Sequence, residues 1–345
     1  MLELLGRSRA SRWALELENA LKKSNGSKPV IALAMGDPAG ISPELTAKLV
    51  ALDDARRAAH IVVIGDRRVY DEGAKVAKVS AMPDEFVDLK HLDPAAIKRG
   101  TASKAGGASA LANYRHALRM VAEGKADAVC FTPFNKQAMR LADSSYDDEI
   151  RFTANVLGFK GTATEFNILE NLWNARVTSH IPLSRVAASL SVNAIVEALE
   201  LTANALRAAG FEPPRIGVAA LNPHAGDGGN FGREEIDIIE PAVKKAKAKG
   251  LPADGPYPAD TVFVRAKGGQ FDAVLTMYHD QGQIAMKLMG FDRGVTLLGG
   301  FPFPICTPAH GTAYDIAGKG IANIGATRAA LLLAANMVRR TARVI

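Results

Sequence analysis

Short apolar runs alternate with longer amphipathic stretches along this chain. The runs at residues 30–34 and 126–131 are dominated by small aliphatic residues, which is typical of buried strands in a parallel sheet. The stretch at residues 101–124 instead repeats its apolar residues at helical spacing. This alternation of strands and helices predicts a largely parallel α/β architecture.

Three of the strand-like runs are followed by a histidine, namely His180, His224 and His279. Since ligands bind at the carboxyl ends of parallel strands, we expect these side chains to converge at one edge of a sheet. Three imidazoles would leave coordination positions open for a substrate, as catalytic metals require. Their spacing matches no compact zinc motif, so a structural, hydrogen-bonded role is equally open. Asp280 could orient the neighbouring imidazole.

The glycine-rich loop at residues 222–232 lies between a predicted strand and a predicted helix, as phosphate-binding loops do. It lacks the Gly-x-Gly-x-x-Gly spacing, and the helix after it starts with Glu234, Glu235 and Asp237. Those acids would repel a pyrophosphate. We therefore predict a loop that closes on a ligand, and no Rossmann fingerprint.

The composition narrows the class of protein. A chain of 345 residues, 48% hydrophobic and 23% charged, suggests a globular protein of two domains, or of one large α/β domain with an insertion. Its charges are mixed along the chain to a net +6, which favours no nucleic-acid partner and suits an anionic ligand. Two cysteines indicate a reducing, cytoplasmic setting, and no apolar run is long enough for a membrane span.

Several longer motifs carry a family resemblance. They resemble, in order, the signature blocks of the 4-hydroxythreonine-4-phosphate dehydrogenase family of vitamin B6 biosynthesis, and they span about residues 30–340. The matching blocks are Met-Gly-Asp-Pro-Ala-Gly-Ile-Ser-Pro-Glu at 35–44, Leu-Asn-Pro-His-Ala-Gly-Asp-Gly-Gly at 221–229, Pro-Ala-Asp-Thr at 258–261, Met-Tyr-His-Asp-Gln-Gly at 277–282 and His-Gly-Thr-Ala at 310–313.

The resemblance implies an isocitrate/isopropylmalate dehydrogenase-like fold, with two α/β/α domains around a cleft. Domain 1 would contain residues 28–131 and 300–345, and domain 2, which holds the metal and dimerisation surfaces, residues 132–299. An amphipathic pattern predicts a helical extension at residues 1–27. The family forms homodimers whose active site lies at the subunit interface.

The implied chemistry is oxidation of an alcohol β to a carboxylate, followed by loss of CO2. It uses NAD or NADP and a divalent metal, with zinc favoured and magnesium, cobalt or nickel as alternatives. The three metal ligands would be His180 from the partner chain, with His224 and His279. Asp260 and Asp280 are candidates for proton transfer or metal support, and Lys287 for contact with the substrate's anionic end. The cofactor contacts correspond to His310, Gly311, Thr312 and Asp315.

The substrate contacts depart from the family pattern. Where the family reads Gly-His-Thr-Glu, this chain reads Asp148-Glu149-Ile150-Arg151, and Thr296 and Ile305 stand where Asn and Arg are usual. Loss of an arginine removes a bidentate anion contact. We therefore expect Glu149, Ile150, Arg151, Thr296 and Ile305 to define an altered substrate pocket.

This altered pocket indicates a paralogue acting on another small anionic hydroxy-carboxylate. Terephthalate cis-dihydrodiol dehydrogenases and threonate or erythronate 4-phosphate dehydrogenases are the alternatives to the B6 activity. From another class, a non-catalytic metal- or ligand-binding protein and a metal-dependent hydrolase also remain open.

Overall fold

The computed structural model describes residues 28–290 and 293–341. These residues form two compact units, unit 1 with residues 28–163 and 293–341, and unit 2 with residues 164–290. Both units are α/β, so the predicted class is confirmed. Their bounds differ from the predicted domains, because residues 132–163 and 293–299 group with unit 1. The predicted helix at residues 1–27 lies outside the described residues.

Unit 1 contains a six-stranded sheet in the order β3-β2-β1-β4-β11-β10. All neighbouring strands are parallel except the β10/β11 pair. The strands are β1 (Val30–Ala34), β2 (His60–Gly65), β3 (Glu85–Asp88), β4 (Ala128–Phe131), β10 (Val295–Gly299) and β11 (Ile305–Pro308). The α-helices are α1 (Ser42–Ala51), α2 (Asp53–Ala58), α3 (Arg67–Ala77), α4 (Lys104–Ala122), α5 (Lys136–Ala142), α6 (Glu149–Leu157) and, near the carboxyl end, α12 (Gly325–Thr341).

Unit 2 contains a five-stranded sheet in the order β5-β6-β9-β7-β8, in which only the β5/β6 pair is antiparallel. The strands are β5 (Thr164–Leu169), β6 (Leu172–Arg176), β7 (Ile216–Ala219), β8 (Ala253–Tyr257) and β9 (Ala273–Thr276). The α-helices are α7 (Val186–Ser189), α8 (Val192–Ala209), α9 (Glu240–Ala248), α10 (Ala259–Lys267) and α11 (His279–Gly290). A π-helical turn, Glu235–Ile239, precedes α9.

Each unit has its own apolar core between sheet and helices. In unit 1, the rings of Phe131 and Phe134 stack at 4.4 Å, and Tyr114 packs against them. In unit 2, Phe271 and Val274 pack against Met286 of α11. Central strands such as β4 and β9 are buried along their whole length. That explains their continuous apolar runs, since both faces of a parallel sheet are covered.

No single helix among the described residues is long and apolar enough to cross a membrane. One pair, Leu183–Ser189 and Val192–Ala209, meets the criteria of length and composition only when both helices are taken together across a 94° bend.

Candidate active site

The three histidines follow three neighbouring strands of unit 2. His180 comes after β6, His279 after β9 and His224 after β7, and β9 lies between the other two strands. Both pairings, β6/β9 and β9/β7, are parallel. The three segments therefore leave the sheet at the same edge, where ligand sites of α/β folds form.

Two side chains connect these three segments. Gln281 accepts a hydrogen bond from Met277 N at 2.7 Å and donates one to Ala220 O at 2.7 Å, which joins the end of β9 to the segment after β7. Thr178 Oγ1 donates to Met277 O at 2.7 Å, which joins the segment after β6 to the same point. Each bond satisfies a backbone group that lies beyond the regular ladder. Their combined effect is to restrain the segments that carry the histidines.

α11 begins at His279, so His279, Asp280 and Gln281 lie in its first turn. Asp280 Oδ1 lies 2.6 Å from His279 Nδ1, the contact expected of a carboxylate that orients an imidazole. Lys287 lies in the same helix and is exposed. It is seven residues beyond Asp280, so both occupy one helical face.

A glycine makes this start of α11 possible. A Cβ at Gly282 would lie 2.1 Å from Asn174 Oδ1. Asn174 is fully buried under the strand ends, where its amide donates to Val274 O at 3.1 Å and to Thr276 Oγ1 at 3.2 Å. Because the polar side chain occupies the space beside the first helical turn, only glycine fits there without displacement.

Two of the three predicted metal ligands lie side by side in this chain. The ring centroids of His180 and His279 are 5.4 Å apart, with a tilt of 45°. His224 is exposed, and its ring lies 6.2 Å from that of Phe231. Across residues 28–290 and 293–341, no three His, Cys, Asp or Glu side chains form a metal-binding group. The paired imidazoles suit a borderline-soft divalent ion, but they form only part of its shell.

Asp260, the other predicted proton-transfer residue, lies exposed in the first turn of α10. That helix packs against both β7 and β9, the strands that precede His224 and His279.

The predicted cofactor segment of unit 1 rests on the glycine-rich loop between β1 and α1. Ile41 N donates to Thr312 O at 3.0 Å, and a Cβ at Gly40 would lie only 2.7 Å from that oxygen. Thr312 is buried, whereas Gly311 and Asp315 are exposed and His310 is half-buried. Gly40 therefore permits a backbone approach that any side chain would prevent.

Asp37 is a buried acid in the same loop, with 1% of its surface exposed. Its carboxylate accepts hydrogen bonds from Tyr314 Oη at 2.5 Å and from Ala39 N at 2.8 Å. Burial nevertheless raises the pKa of Asp37, since desolvation outweighs both bonds. Burial and the Asp37 carboxyl raise the pKa of Tyr314 in turn.

A cavity of about 370 Å³ adjoins this loop within unit 1. Its lining includes Gly40, Glu44, Arg68, Arg99 and Gly318. Glu44 is 2% exposed, and its Oε2 has no hydrogen-bond partner, whereas Oε1 accepts from Lys48 Nζ and the backbone N–H of Ala322. That Oε2 atom is inaccessible to solvent, so the polar groups open to a ligand in this cavity are those of the other lining residues, such as Arg68 and Arg99.

The predicted substrate segment of unit 1 is largely engaged in local contacts. Glu149 Oε2 forms an ion pair with Lys136 Nζ at 3.0 Å, and Arg151 forms one with Asp147. Ile150 packs on the apolar core of unit 1. The negative and positive charges of this segment are therefore balanced nearby.

The two remaining predicted substrate contacts lie in strands. Thr296 is half-buried in β10 and pairs with Thr307 in the antiparallel register. Ile305 is fully buried in the core of unit 1, so its side chain contributes packing. The expectation that Ile305 contacts substrate does not agree with this position, because a sequence alignment carries no information on burial.

An α/β protein with polar side chains at the carboxyl ends of adjacent parallel strands and a cavity beside a strand-to-helix loop is typical of an enzyme that binds small ligands. Comparison with known proteins identifies the family. The family profile described as "Pyridoxal phosphate biosynthetic protein PdxA" matches residues 57–334. The chain belongs to this family, whose relatives below are named as dehydrogenases.

Three curated relatives illustrate the range. A protein of Rhizobium meliloti named "Putative 4-hydroxythreonine-4-phosphate dehydrogenase 2" is 65% identical over 91% of this chain and 94% of its own length. One of Pseudomonas aeruginosa with the same name is 48% identical over 92% and 99%. A "Putative D-threonate 4-phosphate dehydrogenase" of Bradyrhizobium diazoefficiens is 38% identical over 85% and 92%.

Solved structures give the same family. A 4-hydroxythreonine-4-phosphate dehydrogenase from Klebsiella pneumoniae matches with a TM-score of 0.78 and 34% identity, over 92% of this chain and 100% of that one. A terephthalate 1,2-cis-dihydrodiol dehydrogenase from Burkholderia xenovorans matches with a TM-score of 0.63 and 29% identity, over 88% and 98%.

The buried Asp37 predicts a pH-dependent effect of its removal. Because its folded-state pKa lies above its ordinary value of 3.8, ionisation costs stability as pH rises through that window, and the cost is absent below it. We expect Asp37→Asn to raise the free energy of unfolding at pH 7 and to have no such benefit below about pH 4, where Asp37 is protonated in both states. Thermal unfolding at both pH values measures this.

Asp66→Asn provides the matched control, since Asp66 is equally buried but its pKa is lowered, mainly by the side chain of Arg68. Its stabilising effect is present at neutral pH and lost in acid, so this variant should be destabilised at pH 7. Equal responses of the two variants to pH would contradict the account.

Proposed function

We propose that this chain is a metal-dependent, NAD(P)-linked dehydrogenase that oxidises and decarboxylates a small β-hydroxy acid. The observation that carries the proposal is the position of His180, His279 and His224 after three adjacent parallel strands in a chain of this family. The carbon that bears the β-hydroxyl group gives a hydride to NAD(P)+ while the hydroxyl oxygen loses its proton, and the β-keto acid then takes up a proton on its α carbon as the bond to CO2 breaks. The net products are a ketone, CO2 and NAD(P)H.

A divalent cation, when bound, would supply Lewis-acid polarisation of the substrate's hydroxyl and carboxylate oxygens. The chain's own groups have separate tasks. Asp280 holds one ring nitrogen of His279 and so directs the other outward. Asp260 and Asp280 are carboxylates placed to accept or return a proton. Lys287, on the Asp280 face of α11, is a cation for the anionic end of the substrate.

The cofactor is assigned to unit 1. The cavity beside Gly40 and Gly318, which Arg68 and Arg99 also line, suits an anionic nucleotide cofactor, and the segment from His310 to Asp315 lies against the same loop. This assignment needs no Rossmann fingerprint, because the close approach of Gly40 to Thr312 brings the loop and the segment together.

For the substrate, we favour a four-carbon 3-hydroxy acid that carries a 4-phosphate and a 2-hydroxyl group, such as threonate or erythronate 4-phosphate. Phosphorylated substrates appear in the names of all three curated relatives, and the phosphate-using structure from Klebsiella pneumoniae is the better structural match. A 2-amino group would need an anionic partner. Glu149, the buried acid of the substrate segment, already pairs with Lys136.

We further propose a homodimer in which His180 from the partner chain joins His224 and His279 of this chain at the metal site. Exposed apolar side chains occur on both segments that carry the paired histidines. Ile181 and Leu183 follow His180 with 40% and 71% exposure, and Ile284 and Leu288 of α11 are 61% and 84% exposed. Ile284 and Leu288 are four residues apart and share one helical face. Such a surface is typical of a protein–protein contact.

Substrate turnover tests the reaction. With NAD or NADP and a divalent metal, we expect one CO2 per reduced cofactor. We expect kcat/KM at least about tenfold higher for threonate or erythronate 4-phosphate than for 4-hydroxythreonine 4-phosphate, the unphosphorylated acids or a terephthalate dihydrodiol. A buried polar contact discriminates strongly against a substrate that cannot satisfy it. Efficient turnover of 4-hydroxythreonine 4-phosphate would overturn the substrate assignment, and no cofactor reduction with any of them would overturn the reaction.

A charge on α11 tests the dimer. Leu288→Asp should convert the dimer into monomers and lower activity, because burial of an unpaired carboxylate in an apolar interface is costly. Light scattering after size exclusion measures the mass. Ile321→Asp is the control, since Ile321 is 64% exposed but lies in unit 1. A dimer that survives Leu288→Asp would argue against this surface.

A further inference from the structure

The segment that carries His224 has an unfavourable backbone conformation. Every residue from His224 to Gly229 has positive φ, with values of 54°, 56°, 82°, 44°, 65° and 104° in order. His224, Ala225 and Asp227 have a Cβ, and left-handed backbone costs such residues free energy. A strained backbone conformation persists only where contacts with neighbouring residues stabilise it, and strained residues are frequent at functional sites.

The buried carboxylate of Glu235 stabilises the segment that leads into this turn. Glu235 is 1% exposed, and its Oε1 accepts hydrogen bonds at 2.8 Å from the backbone N–H groups of both Leu221 and Asn222. Its Oε2 accepts from the side-chain amide of Asn222 at 2.9 Å. The same oxygen lies so close to Gly226 that a Cβ there would be 2.7 Å away. One carboxylate therefore anchors the entry of the left-handed turn by hydrogen bonds and packs against its middle at Gly226.

Helix geometry brings Glu235 to this position. It begins the π-helical turn Glu235–Ile239, in which the N–H of Glu240 donates to Glu235 O, five residues back. The wider turn puts Glu235 and Ile239 both on the buried side, whereas Ile236 and Asp237 between them are exposed. A π-helical turn replaces the regular hydrogen bonds of an α-helix by wider ones, and such turns are rare but frequent at functional sites.

We infer that Glu235 is a positioning residue for His224. Its three hydrogen bonds hold the left-handed turn, and the turn sets where the imidazole of His224 can reach. The inference rests on the proposed function, in which His224 is a metal ligand. Glu234 makes one comparable bond, to the Asn222 side chain at 2.6 Å, and touches no backbone N–H group of the turn's entry. The two adjacent acids therefore have separable roles.

Variants of both acids in the full-length protein test the inference. Glu235→Ala should weaken Zn²⁺ affinity about 10- to 100-fold, the range seen when a group that orients a ligand is removed. It should also speed amide exchange at Leu221 and Asn222. Glu235→Gln keeps an acceptor for the backbone donors and should restore most of both. Glu234→Gln is the control and should change Zn²⁺ affinity by less than about threefold. Affinity is measured by competition with a chromophoric chelator.

Provided that His224→Ala lowers Zn²⁺ affinity, a folded Glu235→Ala variant with wild-type Zn²⁺ affinity would overturn the inference. Faster exchange at Leu221 and Asn222 in that variant would then make Glu235 structural only. If Glu235→Ala does not fold, Glu235→Asp decides, because the shorter carboxylate should not reach both backbone N–H groups. A Zn²⁺ affinity no lower than that of Glu234→Asp would then reject the role.

His224→Ala separates this inference from the proposed function. If that variant binds Zn²⁺ like the wild type, His224 is not a ligand and the proposed function fails at this residue. The positioning of the turn is then judged on exchange alone. Faster exchange at Leu221 and Asn222 in Glu235→Ala but not in Glu234→Gln would support it, and equal exchange in both would reject it.

Discussion

The parallel pairing of β6, β9 and β7 is the constraint on which the candidate site depends. Their registers bring three chain segments off the sheet at one edge, and a buried polar network beneath that edge keeps them in place. Thr276 Oγ1 donates to Ala175 O at 3.1 Å across the β6/β9 pair, and the Asn174 amide donates to Thr276 Oγ1 and Val274 O. These donors are satisfied, whereas Asn174 Oδ1 has no hydrogen-bond partner among the described residues, so it is the donor side of the network that ties the strands together.

Beyond the strand ends, side-chain hydrogen bonds join the segments where backbone hydrogen bonds between strands have ended. Gln281 joins the segments after β9 and β7, and Thr178 joins those after β9 and β6. Glu235 also bonds backbone groups with its side chain, and these bonds stabilise the entry of a turn whose left-handed conformation is intrinsically unfavourable. Unit 1 contains a parallel case in Asp37, a buried acid whose desolvation opposes stability in a ligand-facing loop. Departures from local preference therefore concentrate where ligands are expected.

Much of this organisation could be predicted from the sequence. The strands were legible because β1, β4 and β9 are continuous apolar runs, and the histidines were conspicuous because each follows such a run. The start of α11 was missed. His279-Asp-Gln-Gly282 has the composition of a turn, and what makes Gly282 compatible with the helix is the distant Asn174.

Other features had no signal in the sequence. Glu235 was interpreted only as an acid that repels phosphate, since its partners are backbone N–H groups that no residue pattern reveals. Ile305 was expected in a substrate pocket and lies in a core, because burial depends on the β4/β11/β10 pairing. The extent of unit 1 was also missed, since residues 132–163 continue its packing without a linker-like break in composition.

Zinc binding by single-histidine variants tests the central claim most directly. When the wild-type protein is freed of metal and titrated with Zn²⁺, we expect it to bind about one ion per chain. We expect a large loss of Zn²⁺ affinity when His180, His224 or His279 is changed to alanine, and none for His116→Ala in unit 1. Wild-type affinity in all three variants, or a loss confined to the adjacent pair His180 and His279, would contradict a metal site built from all three strand ends.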